Sequence, residues 1–184
     1  MGWSETQRGF ILSSFYIGYI LTQIIGGLLS DRMGAKIVLG VGLIVWSIFT
    51  FITPWAFYGG FAALIIARIG MGLGEGITFP AWHSLYARWI PFSERARSVA
   101  ITNSAIPIGT IFGLVVTPII ILRLGWEWAF YLYGGLGFIW YIYWQKIVFS
   151  TPKEDPNISE EELEYITNNA CLLYTSPSPR DPWK

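Results

Sequence analysis

Five long apolar segments dominate the sequence and limit the folds that it can adopt. Each is about 20 residues or longer, the length that an α-helix needs to cross the hydrocarbon core of a bilayer. Of the 184 residues, 53% are hydrophobic and only 13% are charged, whereas a soluble domain carries about 25% charged residues. Because backbone polar groups in lipid must bond within their own segment, we expect an all-α bundle with membrane-spanning helices near residues 10–30, 37–57, 61–86, 98–122 and 128–149.

The basic residues between these segments predict the orientation. The connections on one side carry most of them, namely Arg32, Lys36, Arg88, Arg95, Arg97, Lys146 and Lys153. The other side carries only Arg8 and Arg123, so we expect the first side to face the cytoplasm. A formal net charge of zero gives no reason to expect a nucleic-acid partner. The single cysteine, Cys171, excludes an internal disulfide and a cysteine-based zinc site.

The composition changes at both ends of the apolar region. The orientation predicted above places the N-terminus outside, directly before a helix that runs toward the cytoplasm. This arrangement suggests that an earlier helix is missing. From residue 150 the chain is polar, and residues 150–170 are expected to form a cytoplasmic linker with a short helix after Ser159. Residues 171–184 contain three prolines and no periodicity. We interpret them as a non-native tail and exclude them from the fold prediction.

Two opposite charges, Arg68 and Glu75, interrupt the third segment. Their spacing puts them within about 20° of one helix face, with Cα atoms about 10.5 Å apart along the axis. Both side chains lean toward the helix N-terminus, so we do not expect a direct salt bridge. Charges within a membrane normally face a bundle interior or a water-filled cavity. Each charge therefore needs another partner: a neighbouring helix, water or a substrate. The alternative is that both residues pair with other helices and only stabilise the bundle.

Weaker candidates surround this pair. His83 follows Pro80, which should kink the helix, and a lone histidine is more often a satisfied polar residue than a proton carrier. Tyr19, Gln23 and Asn103 are polar positions in the first and fourth segments, where helix packing is the more common role. Alternate glycines at 70, 72, 74 and 76 form two overlapping G-x-x-x-G pairs, which favour close helix contact.

The loop after the first segment carries a pattern of its own: Gly27, Asp31, Arg32, Gly34 and Lys36. A tight basic turn is the simpler explanation, but such a turn needs no aspartate. The run resembles the signature G-x-L-x-D-R-x-G-x-K of the major facilitator superfamily, found between helices 2 and 3. The resemblance implies a partial N-terminal half of a major facilitator fold, helices 2 to 6 of twelve, with helix 1 and the C-terminal half missing. It also implies that these five residues form a conformational latch between the halves.

A narrower resemblance begins in the third segment. The runs Gly74 to His83, Trp89 to Pro91 and Ser93 to Arg95 are similar to the anion–cation symporter family. That family includes type I sodium–phosphate cotransporters, sialin, vesicular glutamate transporters and plant anion transporters. The likeness runs from about Trp3 to Ile166.

This second resemblance implies a secondary active transporter of organic or inorganic anions, such as phosphate or carboxylates, that works by alternating access. Arg68, Glu75 and His83 fall on positions that the family associates with anion binding and with proton or sodium coupling. Apart from the coupling ion, no cofactor is expected. The resemblance does not specify whether this membrane is the plasma membrane, a lysosomal or vesicular membrane, or a plastid membrane.

Several other functions are alternatives to transport. A non-transporting receptor or scaffold of the same fold and a carrier of non-anionic solutes both remain possible. A membrane enzyme fits poorly, because the chain has one histidine, one cysteine and no paired intramembrane acids. A channel would show a filter-like sequence or a charge ring, and neither is seen. The chain by itself should not transport, since alternating access needs two halves around a central site.

Overall fold

Seven α-helices make up the part of the chain that the computed structural model describes, residues 2–169, and no strand occurs in that range. The all-α prediction is therefore confirmed. In chain order, the helices are α1 (Glu5–Met33), α2 (Ala35–Tyr58), α3 (Phe61–Gly76), α4 (Thr78–Trp89), α5 (Phe92–Leu124), α6 (Trp126–Ile147) and α7 (Glu160–Asn169), with one 3-10 turn at Pro152–Glu154. The interpretation of residues 171–184, including Cys171, lies outside the described residues.

Four stretches of the described chain are long and apolar enough to cross a membrane: α1, α2, the run Phe61–Trp89 and α5. They overlap the first four predicted spans. The fifth predicted span falls on α6, which is 22 residues long but is rich in Trp and Tyr. These side chains favour the membrane interface over the hydrocarbon core, so α6 is not among the four, and its crossing of the membrane stays a prediction.

Local signals set the helix ends. Ser4 and Gln7 form a capping box at the start of α1, where the Ser4 hydroxyl accepts from the Gln7 N–H and the Gln7 side chain accepts from the Ser4 N–H. Gly34 and Gly125 join α1 to α2 and α5 to α6 with φ angles of +90° and +102°. Only glycine adopts such angles without strain. Each joint is one residue long, and the two helices that it connects contact each other.

α3 lies at the centre of the packing, between α1 and α2. Its alternate glycines point to two different neighbours. Gly72 and Gly76 lie against the α1 backbone at Phe15 and Tyr19, whereas Gly74 lies against α2, where an added Cβ would be 2.7 Å from the Gly42 carbonyl oxygen. The two overlapping glycine pairs therefore bring two helices close to α3 at once, as small residues do in membrane bundles.

A single turn residue, Ile77, separates α3 from α4. Pro80, four residues after Gly76, has no N–H to donate to the Gly76 carbonyl, and the regular bonding resumes with Ala81 donating to Ile77 at 3.2 Å. The kink expected near Pro80 thus coincides with the helix break. Gly26 and Gly27 of α1 lie beside Pro80, so the break is packed against α1.

α2 also packs against α6, where Gly134 lies on the backbone of Phe51. α5 contacts α6, and one hydrogen bond of 2.8 Å joins Thr117 to Tyr133. In the part of the chain that the structure describes, none of the 33 residues of α5 is buried. α5 is thus the least covered helix of the bundle.

Candidate functional site

Arg68 and Glu75 lie on a face of α3 that carries neither the glycines that contact α1 nor those that contact α2. On a helical wheel, the glycines that contact α1 lie about 70° to one side of the two charges. Met71 lies about 50° to the other side, and it lines a groove between α2, α5 and α6. Both charged residues are half-buried. The charged face therefore opens between α1 and that groove.

No salt bridge joins Arg68 to Glu75 in the described range, where the one ion pair within 4 Å is Arg8 with Glu5 at 3.0 Å. The Nε atom of Arg68 is buried and has no hydrogen-bond partner among residues 2–169. A buried cationic donor without a partner is costly. Its guanidinium can bind a phosphate or a carboxylate through two parallel hydrogen bonds.

The other predicted site residues lie in different surroundings. Tyr19 is half-buried where α1 crosses the glycines of α3. Gln23, His83 and Asn103 are exposed in the described chain. Tyr19 therefore lies beside the glycines that follow Arg68 on α3, and the other three side chains lie on open surfaces. Within residues 2–169, no three His, Cys, Asp or Glu side chains are grouped to hold a metal ion.

The residues of the loop signature divide into two groups. Asp31 and Arg32 are exposed, and Asp31 accepts one long hydrogen bond of 3.5 Å from Ser84. Gly34 is buried against Ser150, and Lys36 donates to the Gln145 carbonyl at 3.0 Å with its Nζ atom 5.0 Å from the centre of the Phe149 ring. The latch between halves stays a prediction, but Gly34 and Lys36 have partners within this half.

Sequence reasoning missed the attachment of the linker to the bundle. The indole of Trp89 donates to the Phe149 carbonyl at 3.0 Å, and the Tyr165 hydroxyl of α7 donates to Glu94 at 2.9 Å. The neighbouring carboxylate raises the pKa of the Tyr165 phenol, mainly through this bond. The linker therefore contacts the α4–α5 connection. The sequence shows Trp89 and Tyr165 near these loops but does not show their partners.

Four stretches of membrane length, one of which carries two opposite charges, are the architecture of a multi-pass membrane protein. The sequence pattern of the Major Facilitator Superfamily matches residues 1–184. The chain belongs to that family, it is similar to several of the family's anion transporters, and it is a multi-pass membrane protein.

Three similar proteins illustrate the relationship. A probable anion transporter 4, chloroplastic, of Oryza sativa subsp. japonica is 44% identical over 100% of this chain and 31% of its own length. An ascorbate transporter, chloroplastic, of Arabidopsis thaliana is 43% identical over 98% of this chain and 32% of its own. A sodium-dependent phosphate transport protein 1, chloroplastic, of the same species is 40% identical over 100% and 35%. The chain thus spans about a third of the length of these relatives.

Proposed function

We propose that the protein containing this chain is a secondary active transporter of anions, phosphate or carboxylates among them, driven by a proton or sodium gradient through alternating access. The observation that carries the proposal is the half-buried Arg68, whose Nε atom lacks a partner in the described part of α3 and its neighbours. An anionic substrate supplies the missing acceptor. The names of the relatives, which specify anion, phosphate and ascorbate transport, support this class of substrate.

Arg68 is proposed as the anion-binding residue. Its planar guanidinium matches the geometry of a phosphate or carboxylate group, which a lysine ammonium does not reproduce. Its face of α3 opens between α1 and the groove, so a substrate could reach it without crossing the α1 or α2 packing surfaces. The helix break at Ile77 follows within three turns, and a discontinuous helix is a recurrent feature of transporter binding sites.

Glu75 is proposed as the coupling acid. It lies two turns from Arg68 on the same face, near enough for the two charges to interact in a medium of low dielectric constant. An anion that binds at Arg68 neutralises part of that positive charge and thereby favours cation or proton uptake at Glu75. Anion and cation binding would then strengthen each other, which is the thermodynamic requirement for symport.

The substrate proposal is tested by counterflow with the full-length protein in liposomes. Vesicles loaded with unlabelled phosphate, ascorbate, a carboxylate such as glutamate, or a neutral sugar are exposed to the same compound in labelled form. We expect exchange for at least one anion and none for the sugar. Exchange of the sugar alone would support a carrier of non-anionic solutes, and no exchange of any solute would support a receptor or scaffold.

The coupling proposal is tested with Glu75→Gln. This variant should retain anion counterflow but lose concentrative uptake driven by an imposed proton or sodium gradient. Glu161→Gln, an exposed change in α7, serves as the control and should retain both activities. If Glu75→Gln accumulates anion with an unchanged dependence on the gradient, another residue couples the cation.

A further inference from the structure

A cluster of basic residues surrounds the connection between α4 and α5. Arg88 lies in the last turn of α4, and Arg95 and Arg97 lie in the first two turns of α5. Between residues 88 and 97 there are thus three positive charges and one negative charge, that of Glu94. The connection joins two stretches of membrane length, so these arginines lie at the membrane surface that the sequence predicts to be cytoplasmic.

No acid of the described chain pairs with these arginines. In residues 2–169, the one ion pair within 4 Å is Arg8 with Glu5. Glu94 instead accepts the hydrogen bond from Tyr165, and the four glutamates of α7 form no ion pair in that range. The acidic helix therefore contacts the connection through a phenol, and it leaves the arginines available to another anion.

The Arg95 side chain is partly withdrawn from water and has one weak partner. It is half-buried, and its Nε atom is fully buried without a hydrogen-bond partner in the described range. Its Nη2 atom donates one long bond of 3.4 Å to the Ile90 carbonyl, and the centre of the Phe92 ring lies 5.9 Å from the guanidinium carbon. An anionic acceptor at the terminal nitrogens would stabilise this cation, because hydrogen bonds between charged groups are stronger than those between neutral groups.

The Phe92 side chain, next to Arg95, indicates the source of such an anion. It is 70% exposed in the described chain. An apolar ring beside a cation at a membrane surface can enter the lipid while the cation stays at the level of the headgroups. The cytoplasmic leaflet carries anionic lipids, and basic pockets at the ends of spanning helices bind their headgroups. These surroundings suit a phosphate group attached to a lipid better than a free phosphate ion.

We infer that Arg95 and Phe92 form a binding site for the phosphate group of an anionic phospholipid in the cytoplasmic leaflet. The planar guanidinium binds two oxygens of the phosphate, and the Phe92 ring packs on the acyl chains just below the headgroup. The site does not depend on the proposed transport activity, since it lies at the membrane surface and not on the charged face of α3.

Lipid binding to the purified full-length protein tests the site. The thermal unfolding midpoint is measured in an uncharged detergent at rising concentrations of dioctanoyl phosphatidylglycerol, dioctanoyl phosphatidylcholine or inorganic phosphate. We expect phosphatidylglycerol to raise the midpoint more than phosphatidylcholine does, and Arg95→Gln to weaken its apparent affinity by about tenfold, as expected for a lost hydrogen bond to a charged group. Arg97→Gln is the matched control and should bind nearly as the unaltered protein does, because Arg97 carries the same charge but lies about 160° around α5 from Arg95.

Three results would overturn the inference. Equal losses of affinity in Arg95→Gln and Arg97→Gln would mean that the lipid responds to net charge alone. A stabilisation by inorganic phosphate that Arg95→Gln removes would make the ligand a free phosphate ion. No stabilisation of the unaltered protein by phosphatidylglycerol would mean that the site does not bind it.

A second variant keeps the test valid if Arg95→Gln fails to fold. Arg95→Lys keeps the positive charge but loses the planar pair of donors, so it should weaken the binding of phosphatidylglycerol severalfold. Unchanged affinity in Arg95→Lys would also contradict the site. None of these results bears on anion transport, because the assay measures lipid binding in detergent.

Discussion

At the scale of single residues, the glycines of α3 determine how closely the bundle packs. Gly72 lies directly against the backbone of α1 at Phe15, and Gly74 lies against the backbone of α2 at Gly42 and Trp46. The glycine pattern predicted close contact from sequence. It could not predict that alternate glycines serve opposite neighbours, because that depends on where the chain places α1 and α2 around α3.

The Gly72 contact predicts that even one methyl group is too large. Gly72→Ala should lower the free energy of unfolding by about 1–3 kcal/mol, since its Cβ would overlap the Phe15 carbonyl and the backbone must move. Thermal unfolding of the purified protein in detergent measures the change. Gly135→Ala adds a methyl group where there is room and should leave the midpoint unchanged or slightly higher. An equal effect of both variants would contradict the proposed packing.

Lys36 gives a second prediction at this scale. Its ammonium group donates to the Gln145 carbonyl near the C-terminal end of α6 and also lies over the Phe149 ring. Lys36→Met should destabilise the protein by about 1 kcal/mol, since it removes a favourable charge at a helix C-terminus and a cation–π contact. Lys146→Met, which removes an exposed charge from the same end of α6, should have a smaller effect in the same thermal assay. Equal unfolding midpoints for the two variants would mean that the contacts of Lys36 do not stabilise the protein.

At the scale of helices, the apolar segments of the sequence predicted where helices form, because length and hydrophobicity are local properties. The positions where helices end depend on single residues such as Gly34 and Pro80, and these residues are also visible in the sequence. The docking of α7 was not predicted, because the Tyr165–Glu94 hydrogen bond joins residues that are 71 positions apart.

This contact makes the docking of α7 sensitive to alkaline pH. The Glu94 carboxylate raises the pKa of Tyr165 from its ordinary value of 10.0, so the neutral phenol stabilises the docked helix at neutral pH. As the pH rises through the raised pKa, the phenolate forms beside a carboxylate and the stabilisation is lost. The protection of the amides of residues 160–169, measured as hydrogen exchange relative to the intrinsic rate at each pH, should therefore fall above about pH 10.

The variant Tyr165→Phe should show the faster exchange already at neutral pH, because it removes the donor and keeps the ring. Tyr143→Phe, an exposed change on α6, is the control. Equal protection of α7 in Tyr165→Phe and in the unaltered protein would mean that other contacts hold the helix.

At the scale of the whole molecule, sequence reasoning identified the family, the fold class and the charged pair on α3. It could not locate the groove beside Met71 or the uncovered face of α5, since both result from the arrangement of four helices. It also placed Gln23, His83 and Asn103 among the site residues, and these side chains are exposed in the described chain.

The role of Arg68 as the anion-binding residue is tested most directly by uptake of a labelled anion into liposomes that contain the full-length protein. Arg68→Lys keeps the positive charge and loses the planar pair of donors, so uptake should fall by at least about tenfold, the equivalent of about 1.4 kcal/mol. Arg123→Lys, an exposed change at the end of α5, should transport normally. If Arg68→Lys, incorporated to the same level, transports anion as well as the unaltered protein does, Arg68 does not bind the substrate.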